Sequence, residues 1–245
     1  MELDSGSLER LVPDELEPGH VTGSETLRLH LERYEFAARH ARPGRLLDMA
    51  CGVGYGTRLL VDRVRPPVSA MGVDISEEAI AYARKRYGGC DVEFRGANAL
   101  QFHDPDGFDT IVSIETVEHV EDAEGLIARL VGLLRPGGVL VVSVPTTPSV
   151  DLNPHHHRDF SESSLRRLVG RHPLREIDCL RQVQSVRLGR LLTRREVRTQ
   201  DLRRELFQYY LRHPDALGRR LWSTMRYGFS NRYLTIAFEL PGASG

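Results

Sequence analysis

From Arg45 onward, short apolar runs alternate with longer stretches whose apolar residues recur at helical spacing. The runs RLLDMA (45–50), VSAMGVDI (68–75), DVEFRGA (91–97), FDTIVSI (108–114) and GVLVVSVP (138–145) have the length and flanks of buried strands. Between them, 56–64, 76–89 and 122–138 carry helical periodicity. Ser76 followed by Glu77 and Glu78 opens one helix with an acidic first turn, which complements the helix dipole. Strands separated by single helices pair in parallel, so the pattern predicts an α/β fold with a doubly wound, Rossmann-like sheet.

Upstream, SETLRLHLERYEFAARH (24–40) reads as a helix capped by Ser24, with Glu25 in its first turn. Beyond Pro145 the pattern loosens. REIDCLRQVQ (175–184) fits a sixth strand and RYLTIAFEL (232–240) a last one. The helical stretch between them, 193–225, is too long for a plain connection and predicts an insert or lid. The chain therefore reads as one domain in four parts: a helical cap (1–43), a ligand-binding core (44–183), an insert (184–230) and a last strand with its tail (231–245). Its 245 residues and 40% hydrophobic content suffice for one core.

No window approaches the roughly 18 apolar residues of a membrane span. The first residues, MELDSGSLERLVPDELEPG, are too acidic and polar for a secretory leader. No membrane partner is expected. Cys51, Cys90 and Cys179 are odd in number and lack metal or redox spacing, which predicts a reducing, cytoplasmic setting. The net charge of −1 is uneven: between Ser161 and Ser230, 16 arginines face 7 acidic residues. Such an excess can attract a phosphate-bearing substrate. Lys85 is the sole lysine, so a general preference for arginine explains the same excess.

The first strand ends in CGVGYG before a helix. Gly52, Gly54 and Gly56 allow a tight turn and close approach of a ligand to backbone. Asp74 ends the next strand, where an acid can take both hydroxyls of a ribose. The pattern D-x-A-C-G-x-G-x-G, from Asp48 to Gly56, resembles motif I of the class I S-adenosylmethionine (SAM) methyltransferases. GVDIS resembles their ribose-binding second motif, VSIETVEHV the fourth, and LRPGGVLVVSVP the hairpin that follows. The resemblance implies a seven-stranded class I methyltransferase sheet with SAM as cofactor. It implies that the loop at Ala50, Cys51, Gly52 and Gly54 wraps the methionine moiety and that Asp48 orients the loop. Asp74 would hold the ribose and Ile75 would flank the adenine. The family's Asp-Ala pair after the third strand is replaced by GANALQF. Asn98 and Ala99 align there, and an amide oxygen can accept from the adenine amino group; a shift of one residue would put Ala97 in that place.

The fourth strand runs into SIETVEHVED. Glu115 is expected at its carboxyl end, beside the cofactor methyl. If the chain turns helical there, Glu115, Glu118 and His119 share one face. Two carboxylates in one cleft repel unless a cation lies between them. DLNPHHHRDFS follows the fifth strand. E-x-x-E-H with a later H-x-x-D-F resembles two metal-dependent families: the small-RNA 3′-terminal 2′-O-methyltransferases and the ubiquinone-biosynthesis O-methyltransferases. That resemblance implies Mg²⁺ or Mn²⁺ held by Glu115, Glu118, His119 and His156, with His155 or His157 as substitutes for His156. Asp159 and Phe160 match the acid and aromatic after the last ligand. A divalent metal would lower the pKa of an acceptor hydroxyl, and open positions for two oxygens suit a diol or catechol. A histidine, His119, His156 or His157, would take the proton. Without metal, the same histidines would serve as hydrogen-bonding groups or bases.

ERLVPDELEPG, LRLHLERYEFAARH and the N-P-x-H-x-x-D-F stretch resemble bacterial methyltransferases of glycan and natural-product biosynthesis. In that reading the N-terminal helix closes over the cofactor and His30, Arg33 and Tyr34 line the pocket; otherwise Tyr34 and Phe36 only pack the helix on the sheet. Trp222, Tyr209 and Tyr210 either stack on a substrate ring or, more simply, pack in the core. The expected activity is metal-assisted O-methylation of a sugar or of a glycosylated or nucleotide-linked natural product, with a homodimer as a candidate assembly. Three alternatives stand: 2′-O-methylation of RNA 3′ ends, a metal-free small-molecule methyltransferase, and a non-catalytic SAM-binding partner. A near-neutral chain without a separate RNA-binding module does not favour RNA.

Overall fold

The computed structural model describes residues 13, 21–64, 69–185, 205–228 and 230–242. Seven strands form one sheet in the order β3-β2-β1-β4-β5-β7-β6. They are β1 (Arg45–Met49), β2 (Ser69–Asp74), β3 (Val92–Gly96), β4 (Phe108–Ile114), β5 (Leu134–Pro145), β6 (Arg175–Ser185) and β7 (Ser230–Glu239). The first five pair in parallel, whereas β7 runs antiparallel to both β5 and β6. The sheet is mixed and Rossmann-like, with the seven strands expected from the sequence.

Helices cover both faces, so the central strands are apolar on both sides. Neighbouring residues divide between two cores. Leu47, Ile111, Leu140 and Val142 pack with Leu126, Ile127 and Leu130 of α4 (Ala123–Leu133) and with Leu165 of α5 (Glu162–Val169). Leu46, Val112, Val139 and Val141 pack with Phe36 of α1 (Val21–His40), Leu60 of α2 (Tyr55–Arg63) and Ile80 of α3 (Glu77–Tyr87). The strand period of two thus feeds both layers.

Several boundaries differ from expectation. Ser24 lies inside α1, which starts at Val21, so it is not the cap. Helix α4 stops at Leu133, because Leu134 already pairs with Phe108 and LRPGG joins β5. Asp122 caps α4, its Oδ1 accepting from Gly125 N at 2.8 Å. Of the predicted insert, 193–204 lies outside the described residues; the rest forms α6 (Leu206–Arg212) and α7 (Pro214–Tyr227).

Chain connections reverse direction between β1 and β4, which neighbour each other. The carboxyl ends of these strands border the crevice in which open α/β sheets bind ligands.

Candidate active site

Strand β1 delivers Asp48 to the base of the crevice, fully buried. Thr57 of α2 donates to its Oδ2 at 2.6 Å, and the Tyr34 hydroxyl lies 3.3 Å from both oxygens. Asp48 therefore ties α1 and α2 to β1. Burial pushes its carboxyl up to about 7, against the hydrogen bonds from Thr57 and Tyr34. Burial also raises the Tyr34 phenol and the Cys51 thiol, so neither ionises at neutral pH.

After β1 the backbone turns sharply. Ala50 takes a φ of 63° and Gly52 one of 55°. A Cβ at Gly52 would meet nothing within 4 Å, so the loop leaves open space on that side. Gly56 has the opposite reason: a Cβ there would fall 2.0 Å from the Tyr34 ring, which lies directly on the backbone. Gly54 precedes the first turn of α2. Asp74, at the end of β2, accepts from Gly52 N and from Ser76 N, both at 2.9 Å. Its carboxylate thus anchors the glycine loop and keeps spare lone pairs toward the crevice. Ile75 beside it is 72% exposed, an apolar side chain with a bare face.

The Asn98 carbonyl oxygen accepts from Leu100 N at 2.9 Å. Its first role is thus to close a turn, and a cofactor amino group would have to share that oxygen. Ala97 donates its N–H to the carbonyl of Asp74, and Ala99 packs on the core.

Glu115 ends β4 with a φ of 51°; it and Ala50 are the described non-glycine residues in the left-handed region. The helical face expected for Glu115, Glu118 and His119 does not form. A short 3₁₀ turn holds Val117–His119, and Glu115 lies outside it. The Glu115 carboxylate accepts from Ser143 Oγ at 2.7 Å and lies 3.5 Å from Nη1 of Arg33. Arg33 is buried, stacks 4.1 Å from the Tyr233 ring centroid and donates from Nε to Gln182 at 2.8 Å. Its Nη1 makes no hydrogen bond among the described residues, the ion pair with Glu115 being too long and ill-aligned for one. Burial, then Arg33, lowers the pKa of His30, whose Nδ1 lies 3.2 Å from the Tyr55 hydroxyl. Ser143, Tyr233 and Gln182 were not singled out in sequence; only Ser143, a polar break in VVSV, left a visible signal.

On the other side of the 3₁₀ turn, ligand atoms of Glu118, His119 and His156 all lie within 4.8 Å of one another. Glu115 does not join this group. Of the three consecutive histidines, His156 enters it, with its ring centroid 4.5 Å from that of His119. The His155 carbonyl lies 3.3 Å from His119 Nδ1, and the His157 N–H donates to the carbonyl of Glu118 at 2.8 Å. Both of those imidazoles are exposed. His156 Nδ1 lies 2.7 Å from Ser149 Oγ. Burial, with the neighbouring histidines, pushes His156 down to about 3, so its ring is neutral. Asp159 stiffens the loop by accepting from Ser149 N and Val150 N, and Phe160 is buried in the core. The insert braces the same loop: the Tyr210 hydroxyl donates to Asp151, and Arg220 donates to the carbonyl of Pro148. Trp222 does not pack in the core; it is 68% exposed.

Residues 47–142, spanning the glycine loop, Asp74 and the turn after β4, match a protein family described as "Methyltransferase domain". The matched segment is similar to a methyltransferase domain. A probable S-adenosylmethionine-dependent methyltransferase of Mycolicibacterium smegmatis is 31% identical over 159 residues, 62% of this chain. The chain spans only 60% of that relative's length. Among solved structures, a putative methyltransferase from Bacillus halodurans aligns with a TM-score of 0.65 at 16% identity, covering 86% of this chain and 98% of its own. The N-methyltransferase NodS from Bradyrhizobium japonicum, in complex with S-adenosyl-L-homocysteine, aligns with a TM-score of 0.57 at 17% identity, over 89% of this chain and 87% of its own. The matched segment thus places its glycine loop at the switch point of a sheet that these methyltransferase structures share.

Proposed function

We propose that the chain transfers a methyl group from SAM to a hydroxyl of a small molecule, a sugar or a glycosylated or nucleotide-linked natural product, with a divalent metal at Glu118, His119 and His156. The observation that carries this reading is the convergence of those three side chains beside Glu115, at the end of β4.

The crevice fits SAM in three places. The open side of Gly52 accepts a ligand against backbone. Asp74 with the bare Ile75 suits a ribose and its base. The buried Nη1 of Arg33 suits a carboxylate, which would complete its hydrogen bonding. Glu115, held by Ser143 and Arg33, belongs to this half of the site. Glu115 is therefore not one of the metal ligands.

The remaining donor set is one carboxylate and two imidazoles. The contacts of His119 Nδ1 with a carbonyl and His156 Nδ1 with a hydroxyl orient both rings so that Nε2 is left to ligate. Such a set suits Mn²⁺, Fe²⁺ or Co²⁺ better than Mg²⁺, which prefers oxygen. When bound, the metal supplies Lewis acidity that favours the alkoxide of an acceptor hydroxyl. The chain's own residues hold the reactants in line. The acceptor oxygen forms its bond to the methyl carbon as the sulfonium–carbon bond breaks, and S-adenosylhomocysteine leaves as a neutral thioether. With His119 and His156 turned to the metal, the exposed imidazoles of His155 and His157 are left, and we assign the hydroxyl proton to His157, whose backbone N–H is bonded to Glu118.

The test is Mn²⁺ titration by electron paramagnetic resonance on protein saturated with S-adenosylhomocysteine. One saturable site is expected, lost in Glu118→Gln and kept in Glu115→Gln. Absence of saturable Mn²⁺ binding in the wild type would overturn the metal-assisted reading. Methyl transfer to vicinal diols above matched mono-alcohols is the accompanying expectation.

A further inference from the structure

Helix α7 is turned inside out relative to an ordinary surface helix. The residues it buries are the small Ala216 and Ser223. Its largest apolar side chains face outward: Leu217, Leu221, Trp222 and Met225 are 38%, 57%, 68% and 82% exposed. At about 100° per residue these four share one stripe. Phe207 and Leu211 of α6 are exposed as well. A stripe of this size left to water has a cost that a partner would remove.

We infer that this stripe is the interface of a two-fold dimer of the chain. The helix is self-complementary. An antiparallel pair centred on Leu221 sets Leu217 against the partner's Met225 and Leu221 against the partner's Leu221. Asp215 and Arg226 lie on the same flank of the stripe, three turns apart. A two-fold axis brings equal flanks together, so Asp215 meets the partner's Arg226 in the same register. A single register thus matches both the apolar and the charged positions.

Charge also argues against a lipid surface as the occupant. An interfacial helix needs arginines free along its rim. Among the described arginines of α7, Arg220 is turned inward to the carbonyl of Pro148 and Arg219 already pairs with Asp215, so Arg226, 5.7 Å from the Tyr227 ring centroid, is the rim cation that the partner's Asp215 would bridge. The inner face of the same insert holds the His156 loop through Tyr210 and Arg220, so the dimer would steady that loop.

Sedimentation velocity of the full chain over a concentration series tests this, with emission of Trp222, the sole tryptophan, as the local reporter. The expected result is a monomer–dimer equilibrium in which dimerisation shifts the emission to the blue. Leu221→Glu, checked for folding by circular dichroism, is expected to weaken dimerisation about 30-fold or more. Asp215→Arg should weaken it too, and Asp215→Arg with Arg226→Asp should restore it. Four results would overturn the inference: a monomer at every concentration, a dimer indifferent to Leu221→Glu, emission already blue in the monomer (the chain covering its own stripe), or a blue shift only with phosphatidylglycerol vesicles.

Discussion

Ala50 and Glu115 stand at the ends of adjacent strands, each in a backbone conformation that L-residues avoid. Held strain of this kind costs on the order of 1–3 kcal/mol and persists where surroundings enforce it. It turns the chain out of the sheet at the two points that flank the crevice. Nothing in SIETVEHVED announces a positive φ, so the sequence pattern mistook Glu115 for the first residue of a helical face. The glycines were legible, but their different reasons were not. Gly56→Ala is expected to cost about 2 kcal/mol or more in thermal unfolding, because its Cβ would overlap the Tyr34 ring. Gly52→Ala faces open space and should cost about 1 kcal/mol in backbone strain, while weakening SAM binding in calorimetry by filling the cradle. Asp48 makes a pH signature. Its folded pKa of about 7 lies above its ordinary 3.8, so the native state holds more protons between those values. Stability from this residue is present below about 4 and is lost as pH rises toward 7, on the order of 1 kcal/mol per pH unit. His30 and His156, kept neutral, slope the other way. The measurement is therefore a difference: the stability of ligand-free wild type relative to Asp48→Asn should fall as pH rises from 5 to 7.

At the scale of elements, the strand–helix alternation was readable because each core strand is buried on both faces and each helix carries one apolar side. Ends were harder to read. LRPGG looks like a helix stop followed by a turn, yet Leu134 already pairs with Phe108, since register with a neighbour outweighs local propensity. Ser24 looks like a cap, but α1 begins a few residues earlier. Trp222 was read toward a core or a ring contact because nothing in local sequence tells a helix's inner face from its outer one when both carry apolar groups. The loop from Ser149 to Phe160 is held by Asp159 from within and by α6 and α7 from outside. Tyr210→Phe removes one outer bond. It should lower Mn²⁺ affinity about 10-fold, by loosening His156, while leaving the melting temperature within a few degrees. An unchanged affinity would show that the insert does not steady the site.

For the molecule as a whole, the likeness to solved methyltransferases rests at or below 17% identity in the two structures named, so it carries the fold and not the acceptor. The basic stretch 161–230 is tied partly within itself, Arg166 and Arg181 to Glu162, and partly to the rest of the chain, Arg171 to Glu124 and Arg175 to Glu239. Those pairs engage four of the described arginines of that stretch. Helix α1 bridges the molecule, reaching Asp48 through Tyr34 and β6 through Arg33 and Gln182. Amide hydrogen exchange in α1 should slow when S-adenosylhomocysteine binds, since its Tyr34 lies on the backbone of Gly56 and its Arg33 beside Glu115. The placement of β7 has a consequence for synthesis. Strand β6 touches the sheet only through β7, which follows it in the chain after an interval of more than forty residues. A nascent chain that has emerged only to Ser185 therefore exposes two bare edges, those of β5 and β6, with a gap one strand wide between them. Until the ribosome releases β7 to fill that gap, Tyr233 is missing from beside Arg33, and the polypeptide is a sticky half-sheet that depends on speed or on a chaperone.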